Sequence, residues 1–153
     1  MTTRPKRIGI IGSRRRDTQE DYVLTRREFL RIYERGDLII SGGCKQGGDR
    51  FAEMIAQEFG IDPIIHYPDE SKLVRTRNYR ADYARIAYER DTLIAHDSTH
   101  LIACVHQDRR GGTEHTIQQF VNQFKLGVPY KFRQAEMIRR GLLILVPQVS
   151  EIL

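Results

Sequence analysis

The chain has 153 residues, 40% of them hydrophobic and 29% charged, a composition that fits one globular domain large enough to need neither a disulfide nor a metal staple. Its two cysteines, Cys44 and Cys104, give no disulfide framework or zinc-ligand spacing, and no stretch reads as a signal peptide or a membrane span, so a soluble cytoplasmic protein with no membrane partner is expected. The formal charge of +5 favours anionic partners but is scattered over Arg14–Arg16, Arg26, Arg27, Arg109, Arg110, Arg139 and Arg140; with no aromatic-interleaved basic stripe or nucleic-acid motif, nucleic-acid binding is not favoured.

In chain order, a short apolar run at residues 7–11 predicts a strand buried on both faces. A helix follows over 22–33, with Tyr22, Phe29, Ile32 and Tyr33 on one face. Residues 38–41 predict a second strand, 51–59 a helix that buries Phe51, Ile55 and Phe59, and 63–67 a third strand. The segment 73–97 reads as one long helix or two, with Ala84, Ala87 and Ile94 facing inward. A fourth strand is expected at 100–105, a helix at 115–126 carrying Ile117, Phe120, Val121 and Phe124, and a fifth strand at 128–132. The apolar tail 141–147 reads as a sixth strand, at the sheet edge or in an interface.

Strands alternating with helices predict βαβ units and a mainly parallel sheet. Right-handed crossovers favour a single doubly wound, three-layer α/β sandwich over residues 1–153, with the first strand central and the order 3-2-1-4-5. Its ligand crevice is expected at the carboxyl ends of strands one and four.

Glycines cluster where these strands end. Gly42 and Gly47 have the G-x-x-x-x-G spacing of a P-loop, but Gly48 and Asp49 stand where that motif needs Lys and Ser/Thr, which argues against a Walker-type ATPase. Read simply, Gly42 and Gly43 permit a turn with positive φ and Asp49 caps a helix. Two further loops, "IGSRRR" with Gly12, Ser13 and Arg14, and "RRGGTEHT" with Gly111, Gly112 and Thr113, are expected on the same rim. Together they suit a phosphate or pyrophosphate held by backbone amides at helix starts.

A strand ending "GSR", a strand ending "SGGCKQGGD", an "RTRN" stretch and a closing "GGTEHTI" together resemble the SLOG superfamily, which includes YspA-like and DprA-like proteins, the LOG phosphoribohydrolases and molybdenum cofactor carrier proteins. The likeness spans roughly residues 8–132. It implies a Rossmann-like fold whose crevice binds a nucleotide or a nucleotide-derived ligand, and it implies that Arg77 and Asn78 of "RTRN" face that ligand, the arginine on a phosphate and the asparagine on a base or ribose.

The LOG pattern PGGxGTxxE is not kept. Arg109 and Arg110 replace its proline-led part, and Thr116 stands three places after Thr113, where the pattern has glutamate. Glu114 is displaced by two positions, a turn of about 200° on a helix. Arg77 and Glu114 are therefore the candidate catalytic residues only if the chain is an enzyme. His66 and His115 could line the crevice but read more simply as structural, and Cys44 reads as a loop-packing residue.

The expectation is a binding or sensing domain for a phosphate-bearing nucleotide or nucleotide-derived ligand, with no metal and no cofactor. The alternatives are a phosphoribohydrolase cutting the N-glycosidic bond of nucleoside monophosphates, and a structural or protein-interaction domain with a vestigial cleft. A homodimer is expected through the apolar tail or crevice-side helices.

Overall fold

The computed structural model describes residues 4–73, 79–123, 130–132 and 142–147. At its centre is β1 (Arg7–Gly12), where Ile8, Ile10 and Ile11 are all buried. A strand with apolar side chains on both faces must be covered on both. It pairs in parallel with β2 (Leu38–Ser41) on one side and β4 (His100–Cys104) on the other, Gly9 lying opposite both Ile40 and Leu101. A two-residue β3 (Ile64–Ile65) continues the parallel sheet beyond β2.

Among the described residues, four helices cover the sheet. On one face Phe29 of α1 (Gln19–Ile32) and Ala52 and Ile55 of α2 (Gly48–Phe59) pack on Ile8, Ile10, Ile39 and Ile102. On the other, Ile94 and Ala95 of α3 (Tyr79–Asp97) and Ile117 and Phe120 of α4 (Gly112–Asn122) pack on Ile11, Ile40, Leu101 and Ala103. The result is a three-layer α/β arrangement around a four-stranded parallel sheet, compatible with a Rossmann-like fold. None of the described helices is long and apolar enough to cross a membrane.

The strand order departs from the expected 3-2-1-4-5. The sheet runs β3-β2-β1-β4-β6-β5, because β6 (Leu142–Pro147) inserts antiparallel between β4 and β5 (Tyr130–Phe132), with Ile102 opposite Ile144 and Lys131 opposite Val146. An antiparallel neighbour needs no crossover helix, so the chain leaving β5 can turn back along it and pair with the open edge of β4. The apolar tail is thus an interior strand of the sheet and not its edge.

Element boundaries also moved. α1 starts at Gln19, three residues before the expected Tyr22, because the Thr18 hydroxyl accepts from the Asp21 amide at 3.1 Å while the Asp21 carboxylate accepts from the Thr18 amide at 3.3 Å. This reciprocal pair closes the first turn. α2 and α4 start on glycines, Gly48 and Gly112, which carry no apolar periodicity. α3 is one continuous helix of 19 residues from Tyr79. Phe124, Leu126 and residues 128–129 lie outside the described residues.

Candidate ligand cleft

The carboxyl ends of the parallel strands open into a cleft of about 680 Å³. The β1 loop brings Gly12, Ser13, Arg14 and Arg15 to it, the β2 loop Gly42, Gly43 and Cys44, and the chain after β4 brings Arg110, Gly111, Gly112 and Thr113. The three glycine-bearing loops picked out in the sequence thus share one rim. Arg77 and Asn78 lie outside the described residues.

The arginine run after β1 divides by partner. Arg16 turns inward to Asp21 at 2.5 Å and to the Val105 carbonyl at 3.1 Å, and Arg15 reaches across to Asp108 at 2.5 Å. Arg14 and Arg110 are exposed and have no ion-pair partner among the described residues. Two cations therefore stand at the cleft without an ion-pair partner among the described residues.

The β2 loop is fixed from beneath. Asp49, the second residue of α2, turns its carboxylate back to accept from the Cys44 amide at 3.1 Å. Arg90 of α3 donates to the Gly42 carbonyl at 2.5 Å and to the Asp91 carboxylate at 2.9 Å. Asp49 and Asp91 are only 8% and 5% exposed, and both line the cleft. Burial pushes the Asp49 carboxyl up to about 6, with the Cys44 amide and the Arg90 guanidinium pulling the other way. Burial likewise raises Asp91 against the pull of Arg90. Gly43 has φ of 75°, and a Cβ there would lie 2.6 Å from the Tyr67 ring, so glycine is required twice over.

Two expected site residues play other roles. Gly47 does not line the cleft: its amide donates to the Asp17 carboxylate at 2.8 Å, which Arg50 also binds at 2.8 Å. The Gly47 amide, with Arg50, holds Asp17 below the usual carboxylate range. Glu114 does not line the cleft either; it is gripped by the guanidinium of Arg109, one contact at 3.1 Å and one shorter. Arg109 itself has φ of 52°, so this ion pair braces the turn that leads into α4. The helical displacement expected for Glu114 is consistent with this placement.

Neither histidine borders the cleft. His66 bonds Asp97 at 2.9 Å, and the His115 ring stacks on Tyr88, with centroids 4.4 Å apart, and stands 3.8 Å from Asp91. Cys44 is half-buried at the cleft, while burial pushes the Cys104 thiol up to about 11.

The sequence reading missed the whole contribution of α3. Tyr83, Ala84, Ala87, Tyr88, Asp91 and Ile94 recur at helical spacing and line one side of the cleft. Ala84 is exposed and Ala87 half-buried, so these two face the cleft and not the core; the buried apolar positions of α3 are Ile86, Ile94 and Ala95. The available signal was a helix face whose small residues are flanked by tyrosines and an aspartate, a mixture unsuited to a core.

The fold and cleft define an α/β protein with a parallel central sheet and a basic, glycine-lined cavity at its strand ends. Comparison with models of protein families, with curated proteins and with solved structures gives no match.

Proposed function

We propose that the chain is a SLOG-like binding or sensing domain and that its cleft takes a nucleotide or a nucleotide-derived, phosphate-bearing small molecule. The observation that carries this reading is the meeting of Arg14 and Arg110 with the first residues of α4 at one cleft. Gly111 caps α4 with no side-chain bond to the first-turn amides, so those amides and two cations without ion-pair partners among the described residues line the place where an anion would sit. The cavity volume falls within the range of small-molecule sites.

Binding is favoured over hydrolysis because Glu114 is held by Arg109 outside the cleft. One observation supports hydrolysis as a second reading: Asp91 places a buried carboxyl, raised by desolvation, inside the cleft. On that reading Asp91 and not Glu114 would serve the cleavage of an N-glycosidic bond by water, giving free base and ribose 5-phosphate. Free base released from a nucleoside monophosphate and abolished by Asp91→Asn would establish it.

The binding reading is tested by thermal unfolding with nucleoside monophosphates and ADP-ribose. A ligand at 100 times its Kd adds about 2.7 kcal/mol to apparent stability. A raised Tm that disappears in Arg14→Ala and Arg110→Ala is the expected result. No shift with any member at millimolar concentration overturns the reading and leaves a structural or protein-interaction domain.

A further inference from the structure

Large apolar or aromatic side chains are exposed at six positions among the described residues: Val23, Leu30, Tyr67, Tyr83, Tyr88 and Leu93. Every aromatic among them lines the one cleft. Tyr67 is 63% exposed, Tyr83 42% and Tyr88 43%. On the face covered by α1 and α2, aromatic rings associate with each other, Phe29 with Tyr33 and Phe59, and Tyr22 with Phe51. A single exposed tyrosine is ordinary. Three gathered in a concavity from two different elements, the segment after β3 and helix α3, make a designed surface of a different kind.

Two of the rings, Tyr67 and Tyr88, are supported as well as exposed. Tyr67 packs so closely on Gly43 that no side chain fits between them, and Tyr88 lies on the His115 ring. Ala84 and Ala87, on the same face of α3, keep the space beside the rings open. Rings fixed in this way lose little further freedom when a flat partner lies on them.

Strand order separates Tyr67 from the cationic end, whereas Tyr88, stacked on His115 of α4, lies toward that end. Tyr67 follows β3 while Arg14 follows β1, two strand spacings away, or about 10 Å. A base, a ribose and a phosphate in series bridge such a gap. We propose that the end of the cleft lined by Tyr67 is a nucleobase subsite, in which the base stacks on Tyr67 and Tyr83 while the phosphate lies toward Arg14 and Arg110. The inference rests on the phosphate-binding reading above and adds to it the part of the ligand that the arginines cannot recognise. Because every base offers a π-face, recognition by stacking tolerates base identity and grades it by ring area, purine above pyrimidine.

The test is calorimetric titration of the full chain with adenosine 5'-monophosphate, uridine 5'-monophosphate and ribose 5-phosphate. The expected result is that adenosine 5'-monophosphate binds about tenfold or more tightly than ribose 5-phosphate, with uridine 5'-monophosphate between them. Tyr67→Ala and Tyr83→Ala should each weaken adenosine 5'-monophosphate by about fivefold or more and leave ribose 5-phosphate unchanged. Tyr67→Phe and Tyr83→Phe, which keep the ring, should retain the wild-type affinity. Equal affinity for the nucleotide and the bare phosphosugar, or alanine variants that bind the nucleotide like wild type, overturns the base subsite and leaves the phosphate site standing. Binding of none of the three probes removes both. Loss of ribose 5-phosphate binding in Arg14→Ala, alongside its retention in Tyr67→Ala and Tyr83→Ala, marks the phosphate end as separate from the aromatic one.

Discussion

The starts of α2 and α4 are nearly the same piece of backbone put to opposite uses. Each follows a parallel strand, each is capped by a glycine with positive φ, Gly47 at 71° and Gly111 at 97°, and neither cap has a side-chain hydrogen bond. Each cap is followed by a second glycine. In α2 the chain supplies its own anion, the Asp17 carboxylate on the Gly47 amide, and Gly48 is pressed against the end of β1. In α4 the corresponding glycines are exposed and line the cleft beside Arg110. A glycine-rich strand-to-helix junction therefore announces close packing or an anion site, and only the group in front of the amides tells which.

The largest effect should come from testing the closed junction. A Cβ on Gly48 would lie 2.0 Å from the Ile11 carbonyl carbon, which is backbone and cannot yield. Gly48→Ala should cost about 3 kcal/mol or more in denaturant unfolding. Gly112→Ala meets only the Asp91 carboxylate, at 3.2 Å, and should cost about 1 kcal/mol or less. Equal losses in the two variants would erase the distinction between the junctions.

Next comes the buried acid behind the β2 loop. The Asp49 carboxyl is raised from 3.8 to about 6 in the folded state, so the native protein holds a proton that the unfolded chain has released. Its contribution is fully present below about pH 4 and is lost as pH rises through about 6, to a total of about 3 kcal/mol. Asp49→Asn keeps an acceptor for the Cys44 amide without the charge. It should flatten the fall in stability between pH 4 and 7, measured as the denaturant midpoint across pH.

Asp17 runs the other way, with its folded pKa below the ordinary value. The stability it supplies is present above about pH 4, the ordinary carboxylate value, and is lost as pH falls through the depressed pKa. Asp17→Asn should therefore lower the denaturant midpoint at pH 7 and matter progressively less in stronger acid; a deficit that stays constant at all pH would show that charge is not what closes α2.

The smallest change in stability is expected on the open side. Arg14→Ala and Arg110→Ala should leave unfolding within about 0.5 kcal/mol of wild type, while removing the ligand-induced rise in Tm.

What the sequence told and withheld follows the range of the forces involved. The β1, β2 and β4 runs were legible because burial on both faces leaves an unbroken apolar string such as "LIIS" or "HLIAC". The convergence of Gly12, Gly42 and Gly111 was legible too, since parallel strands put their carboxyl ends together. The place of β6 was not: "LLILVP" announces an apolar strand, expected at the edge or in an interface, without naming its neighbours. Arg90 was invisible because its partner, the Gly42 carbonyl, is 48 positions away and leaves no mark on local pattern. Ala84 and Ala87 were assigned to the core because periodicity identifies a helix face but not what lies opposite it.

The central position of β1 also has a kinetic consequence. Its pairing with β2 closes a short loop, whereas its pairing with β4 joins Arg7 to Thr99 across 92 positions. Closing that distance is the slower event, since loop entropy is lost before the contact is made. During synthesis the Arg14 loop must wait, without its counterpart at Gly112, until most of the chain has emerged. The cavity thus depends on a long-range contact, and a chain lacking the β1–β4 ladder would contain the glycines and arginines of the site but no place for a ligand to hold them together.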